Sequence, residues 1–230
     1  MNKKYRWDLP GWIHKLAGRE FLGQACLPTS PCVLALTLAD LTGSSVDAIV
    51  NAADWTMLGG TGVDGAIHAL AGPELGRMIV AQNLRLETAG VVHTPGFLLK
   101  AQHILHTCAP TYAPGADARA ALALCYTRCV ARADSMGLVS ISFPLLGAGA
   151  FGWPLEAATQ ICAQALRSAA RGCRNVQLIE VCAFGPKAAA LLETAFGLPC
   201  NREVSQDELR YHPGASALSG LSADEISRRF

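Results

Sequence analysis

Ala48-Ile49-Val50-Asn51-Ala52-Ala53-Asp54, then Trp55-Thr56-Met57, then Leu58-Gly59-Gly60-Thr61-Gly62-Val63-Asp64-Gly65-Ala66-Ile67-His68 form one continuous stretch of this 230-residue chain. Its first part is an almost unbroken apolar run over residues 48–51, the signature of a strand covered on both faces. Its last part is a glycine-rich turn that leads into a helical pattern over residues 63–71. A strand that ends in a small-residue loop and continues as a helix is the unit from which α/β sheets are built. This stretch therefore sets the fold class.

The same alternation continues in both directions. Strand-like runs occupy residues 32–38, 90–94, 103–107, 140–145 and 176–183, and helical patterns occupy 73–82, 117–136, 155–171 and 187–195. The helical segments are rich in alanine, the strongest helix former. Pro73 stands where a helix starts and Gly172 where one ends. The expected architecture is a three-layer α/β/α domain over residues 32–198 with a mixed, largely parallel sheet. Residues 1–31 are expected to be an N-terminal extension. Its two tryptophans, with Leu9, Leu16, Phe21 and Leu22, predict a short helix docked on the main body. Residues 199–230 are polar and lack an apolar period, so a flexible C-terminal tail is expected, with a short helix near 222–229.

Composition narrows the function. With 19 basic and 18 acidic residues the net charge is +1, which supplies no field to steer nucleic acid or an anionic membrane. No nucleic-acid partner and no membrane association are expected. The basic N-terminus lacks an apolar run behind it and reads as no signal peptide, and no stretch of 18 uncharged apolar residues is present. The nine cysteines are an odd number with no C-x-x-C pair, and most lie in apolar runs. A reducing cytoplasm and a monomeric protein are the expected setting. Cys125 and Cys129 share a helical face without the companions that a zinc site needs.

In open α/β sheets, ligands bind at the carboxyl ends of the strands. Two loops have that placement: the one through Gly59, Gly60, Gly62 and Val63, and a second running Gly147-Ala148-Gly149-Ala150-Phe151-Gly152-Trp153-Pro154. Small residues let backbone amides close on phosphate oxygens, and a helix N-terminus behind them favours an anion. Two such loops suit a diphosphate. The plain alternative is a flexible turn and a crowded crossover. Neither loop matches the dinucleotide fingerprint or the P-loop, and neither contains a lysine.

The order of motifs is more specific than either loop. Asp40-Leu41-Thr42, residues 46–53, residues 58–68, Ala71-Gly72-Pro73-Glu74-Leu75, Val92-His93-Thr94-Pro95-Gly96, Ile104-Leu105-His106-Thr107, residues 143–154 and Cys182-Ala183-Phe184 together resemble the macrodomain family. The resemblance covers about residues 32–198 and is nearest to the MacroD-type branch, whose members hydrolyse mono-ADP-ribose esters on acidic side chains. It implies ADP-ribose and mono-ADP-ribosylated proteins as ligands. It implies no metal and no redox cofactor.

Roles follow residue by residue from that resemblance. Asp40 matches the acid that accepts a hydrogen bond from the adenine amino group, with the Leu41 backbone beside the ring. Phe184 matches the aromatic that stacks on adenine. Gly147, Ala148, Gly149 and Ala150 match the diphosphate cradle, and Phe151 the aromatic beside the distal ribose. Asn51, Gly59, Gly60, Gly62 and Val63 match the ribose walls. Asp64 matches the acid that polarises a water, with Asn51 holding a ribose hydroxyl. Asp54, Thr61 and the Gly147-Ala148-Gly149 run depart from the family pattern, so a module that reads ADP-ribose without cleaving it stays open beside hydrolysis. So do removal of an acetyl group from O-acetyl-ADP-ribose and of a terminal phosphate from a phosphorylated ADP-ribose. His68, His93, His103 and His106 are expected to be core or strand residues satisfied by backbone groups, Glu74 to support its helix, and Trp55 and Trp153 to pack, with covering of the ligand by either left open.

Overall fold

Every strand–loop–helix unit expected from residue 32 onward is present in the computed structural model, which describes Lys15, residues 19–26, Ser30 and residues 32–198. In chain order the elements are β1 (Glu20–Cys26), β2 (Val33–Leu38), β3 (Ala48–Ala52), α1 (Gly62–Ala71), α2 (Pro73–Ala81), β4 (Val91–Pro95), β5 (His103–Thr107), α3 (Ala116–Ser135), β6 (Ser140–Pro144), α4 (Leu155–Ala170), β7 (Leu178–Ala183) and α5 (Pro186–Ala195). The strands form one sheet in the order β1-β2-β7-β6-β3-β5-β4. The five inner strands are parallel, and the antiparallel β1 and β4 close the two edges.

Side chains alternate across the sheet with the period of two that strands impose. Leu34, Leu36, Ala48, Val50, Leu105, Ile141, Phe143, Ile179 and Val181 face one core, which buried residues of α3, α4 and α5 complete. Ala35, Ile49, Ile104, Leu178 and Cys182 face the other, against Ile67 and Ala71 of α1 and Leu75 and Ile79 of α2. Helix α3 buries Leu122, Cys125, Tyr126, Cys129, Val130 and Ala133, an i, i+3, i+4, i+7 stripe on an otherwise alanine-rich scaffold. The three-layer architecture is as expected.

One segment differs. The residues expected to carry a docked helix include Glu20–Cys26, and these form β1, paired antiparallel with β2 from Glu20↔Leu38 to Cys26↔Val33. The reason is the exposed edge that β2 would otherwise present, a row of unpaired amides and carbonyls that a neighbouring strand satisfies. The sheet thus begins twelve residues before the expected domain start. Just before β1, Arg19 pairs with Glu180, a fully buried acid on β7 that also accepts hydrogen bonds from the Thr37 hydroxyl at 2.7 Å and the Ser44 hydroxyl at 2.9 Å. The expectations for residues 1–14 and for the tail from 199 lie outside the described residues.

Candidate functional site

All five parallel strands end at one edge of the sheet, and the chain changes direction between β3 and β6. From β3 it proceeds toward β5 and β4, and from β6 toward β7. That is a topological switch point, where a crevice forms beyond the carboxyl ends. The ladder widens the gap: β3 pairs with β6 only at Ala48↔Ile141 and Ile49↔Ser142, whereas its pairing with β5 continues to Ala52↔Thr107. Both glycine-rich loops flank this gap.

The loop after β6 is built as an anion cradle. Three of its carbonyls are consumed on the protein side: Gly147 O accepts from Trp153 N at 3.0 Å, Gly149 O from Gly152 N at 2.9 Å, and Phe151 O from Tyr112 N at 2.8 Å. The amides of Gly147, Ala148, Gly149, Ala150 and Phe151 donate to no partner among the described residues. A run of unpaired amides on one side and satisfied carbonyls on the other is a positively polarised nest. Buried groups hold it in place. Tyr126 of α3 accepts a hydrogen bond from Leu146 N at 2.8 Å, and the Trp153 indole donates to Pro110 O at 2.8 Å while Tyr112 packs edge-on against its ring. Gly147 has φ +85°, and a Cβ there would sit 2.7 Å from the Trp153 ring. Gly149, in contrast, is exposed, and a Cβ added there meets nothing within 4 Å.

The loop after β3 repeats the theme. The amides of Gly59, Gly60, Thr61 and Gly62 donate to no partner among the described residues, and no side chain caps α1. Its first-turn amides and dipole are therefore open to an anion. Asp54 makes its hydrogen bonds within its own loop. Its Oδ1 accepts from Thr56 N at 2.8 Å, Thr56 Oγ1 at 2.6 Å and Met57 N at 2.9 Å, closing a local turn. The departure at this position is thus a loop hydrogen bond. Thr61 stands just outside α1 in extended conformation, with its side chain exposed. Gly65 is required for packing, because a Cβ would lie 2.3 Å from the Gly60 carbonyl oxygen.

Asp64, on the first turn of α1, and Asn51, on β3, come together beneath this loop. Asp64 is buried and Asn51 fully so. The Asn51 Nδ2 donates to Asp64 Oδ1 at 2.7 Å and lies 3.1 Å from His106 Nδ1, while Asn51 Oδ1 is buried without a partner. Burial raises the Asp64 carboxyl above its usual range. The Asn51 hydrogen bond and the His68 ring, 3.7 Å away, oppose that shift, and the Asp54 charge adds to it. His106 is fully buried on β5, and desolvation pushes it down to about 3, so it is neutral; its Nε2 faces the Thr94 hydroxyl at 2.9 Å.

At the other end of the same edge, β2 and β7 run in register to Leu38↔Ala183, and Ala39 N donates to Ala183 O. This places Asp40 beside Phe184. Asp40 is exposed; its Oδ1 accepts from Thr42 N and Oγ1 at 2.8 and 2.7 Å, capping the single 3-10 turn Leu41–Gly43, and its Oδ2 carries no partner among the described residues. Leu41 is buried. The Phe184 ring is 61% exposed on the residue that follows a fully buried strand, a position that asks for something to stack on it.

The structure thus brings every sequence-predicted site residue to one edge, in a row from Asp40 and Phe184 through residues 147–151 to Asn51, residues 59–63 and Asp64. The histidines are a correction. His106 meets side chains and not backbone groups, Asn51 and Thr94, and His93 meets His103 at 3.0 Å, whereas His68 lies on α1 with its buried Nε2 3.7 Å from Asp64 Oδ1 and without a hydrogen bond among the described residues. Tyr126, Pro110 and Tyr112, which brace the cradle, carry no local sequence signal. Trp153 packs as expected, Glu74 pairs with Arg77 on α2, and Trp55 is exposed. Among the described residues no three His, Cys, Asp or Glu side chains are placed to hold a metal ion, and burial raises Cys125 to about 11, an uncharged thiol.

Fold and site together define a class: an α/β/α domain with two amide-lined, anion-accepting loops and a buried carboxylate at the switch point of its sheet. A family model described as Macro domain matches residues 50–162. A macro domain-containing protein of Ralstonia nicotianae is 39% identical over 170 residues, which are 74% of this chain and 97% of that one. An O-acetyl-ADP-ribose deacetylase of Salmonella newport is 40% identical over 126 residues, 53% of this chain and 70% of its own. The macrodomain of Oceanobacillus iheyensis solved with ADP superimposes with a TM-score of 0.70 at 30% identity, over 76% of this chain and 95% of that one. The chain belongs to the macro domain family.

Proposed function

We propose that this protein binds ADP-ribose along the carboxyl edge of its sheet and hydrolyses mono-ADP-ribose from Glu and Asp side chains of modified proteins, with the ester of O-acetyl-ADP-ribose as a second substrate. The observation that carries this reading is the buried Asn51–Asp64 pair lying beside two loops of unpaired amides. Amides without partners favour the diphosphate. Phe184 and the free oxygen of Asp40 suit an adenine ring and its amino group. The relatives agree with this chemistry, one bearing the name of a deacetylase of O-acetyl-ADP-ribose and another having been solved with ADP.

In this mechanism the orphaned Asn51 Oδ1 accepts a hydrogen bond from a hydroxyl of the distal ribose. Asp64 holds a water against the anomeric carbon. The water oxygen bonds to that carbon, the bond to the protein carboxylate breaks with its electron pair, and the water proton passes to Asp64. A carboxyl raised by burial is a better base than an exposed one. Positive charge that develops on the ribose is stabilised by the Asp64 and diphosphate anions. Phe151 packs beside the ribose, and Gly59, Gly60, Gly62 and Val63 form its wall.

Calorimetric titration with free ADP-ribose, followed by incubation with a protein mono-ADP-ribosylated on Glu or Asp, tests both halves. Saturable binding and release of ADP-ribose are expected. Tight binding with no release from the ester-linked substrate or from O-acetyl-ADP-ribose means a reader module, and no binding overturns the whole reading.

A further inference from the structure

We infer that His106, held by Thr94, is a positioning residue that fixes which way round the Asn51 amide sits, and thereby makes the site accept a hydrogen bond from a ligand hydroxyl. This rests on the proposed ADP-ribose reading for its functional consequence, but not for its geometry. The Asn51 side chain is sealed from solvent, with two contacts on its nitrogen and none on its oxygen. Both atoms facing that nitrogen supply lone pairs: Asp64 Oδ1 at 2.7 Å and His106 Nδ1 at 3.1 Å. With the amide turned over, its oxygen would face a carboxylate and a bare ring nitrogen, and two N–H groups would be buried unpaired. An unpaired buried donor is costly enough to keep that form rare.

The orientation goes with a bare His106 Nδ1, the acceptor that the Asn51 amide nitrogen faces at 3.1 Å. A bare Nδ1 puts the ring proton on Nε2, where the Thr94 hydroxyl of β4, 2.9 Å away, can accept it. Burial keeps the ring neutral, so one nitrogen carries a proton and the other does not. The link therefore runs Thr94, His106, Asn51, Asp64, across β4, β5 and β3 to α1. Its free end is the unpartnered Asn51 Oδ1, the only side-chain oxygen of the link without a hydrogen bond among the described residues apart from Asp64 Oδ2. Asp64 Oδ2 lies 3.3 Å from where a Cβ on Gly60 would be, so it also faces the glycine-rich loop.

Three variants separate positioning from packing. His106→Leu removes the Nδ1 lone pair, His106→Gln moves the polar atom toward Thr94, and His106→Asn returns an acceptor near the Nδ1 position. Relative to wild type, kcat for ADP-ribose release should fall about 3- to 10-fold in the Leu and Gln variants, the scale of one lost hydrogen bond between neutral groups. KM and the ADP-ribose affinity should change less than kcat, and His106→Asn should recover part of the loss. Thermal unfolding of each variant checks the fold. Independently of turnover, long-range 1H–15N spectra of the wild-type protein should show a neutral His106 ring protonated at Nε2, and the Asn51 amide signals should move in His106→Leu but much less in His106→Asn. A ring protonated at Nδ1, or full kcat in folded His106→Leu, overturns the inference. The expected spectra from a protein that releases no ADP-ribose would instead defeat the proposed function and leave the positioning of Asn51 standing.

Discussion

Two glycines of the loop after β6, two residues apart, should respond in opposite ways to the same substitution. Gly147→Val places a branched side chain at φ +85° with its Cβ 2.7 Å from the buried Trp153 ring. The left-handed backbone costs roughly 1–2 kcal/mol and overpacking roughly 1–3 more, so a loss of about 2–5 kcal/mol is expected. For a domain of this size that lowers Tm by roughly 5–15 °C. Gly149→Val meets neither obstacle, because its φ is not in the left-handed region and its Cβ enters open space. Its stability should stay within about 0.5 kcal/mol of wild type. What it fills is the space in front of the unpaired amides. Losing even one charge-assisted hydrogen bond to a phosphate oxygen costs about 1.5–3 kcal/mol, so ADP-ribose should bind roughly 10- to 100-fold more weakly. Differential scanning fluorimetry and isothermal titration calorimetry on the two proteins measure both quantities. A folded Gly149→Val protein that binds ADP-ribose within about threefold of wild type would refute the cradle, whatever else the family does.

Three further outcomes follow from named contacts. Asp64→Asn should abolish ADP-ribose release while leaving stability at pH 7 within about 1 kcal/mol of wild type, since an amide oxygen can still accept from Asn51. The folded-state pKa of Asp64 is raised above its unfolded value, so its ionised form carries a penalty at neutral pH that disappears as pH falls through the folded pKa. Wild type should therefore gain stability relative to Asp64→Asn over that acid range, and denaturant titrations at descending pH check the sign. Phe184→Ala removes a ring that is 61% exposed, and should leave Tm unchanged while weakening ADP-ribose binding by about 1–3 kcal/mol, the scale of a lost aromatic stack. Arg19→Met strands the fully buried Glu180 without its ion-pair partner and should destabilise the fold by about 3–5 kcal/mol in urea unfolding.

How much of this was legible in the sequence depends on the range over which each signal acts. The inner strands and all five helices announce themselves by apolar runs, alanine content, Pro73 and small-residue loops, which are local properties. β1 does not: Glu20-Phe21-Leu22-Gly23-Gln24-Ala25-Cys26 reads as neither period, and it is a strand because β2 needs a partner. Within the site, the loops were legible because small-residue spacing and a helix start sit in one short stretch, and Asp64 was legible only through the resemblance to the family. The link from Asn51 to His106 and Thr94 was not. It is a matter of cross-strand register, Asn51 opposite His106 on β5 and Thr94 diagonal to it on β4, and no pattern along one strand encodes that pairing. The bracing of the cradle by Tyr126, twenty residues upstream on α3, escapes for the same reason.

The electrostatic arrangement explains why an acid occupies a place where the fold gains nothing from it. Asp64 is buried, its pKa is raised, and the one hydrogen bond it receives from Asn51 would be available to an asparagine at the same position. A carboxylate in such a setting makes folding harder at neutral pH. The open N-terminus of α1 offsets part of that cost through its dipole, but the same dipole would serve a bound anion equally well. Positive amides line the loops and a negative carboxyl lies under one of them. A ligand that carries a diphosphate along its length and develops positive charge at its sugar end matches both signs in order. Cost to stability without structural return is the mark of a group kept for chemistry, and here it falls on the residue that the mechanism needs as its base.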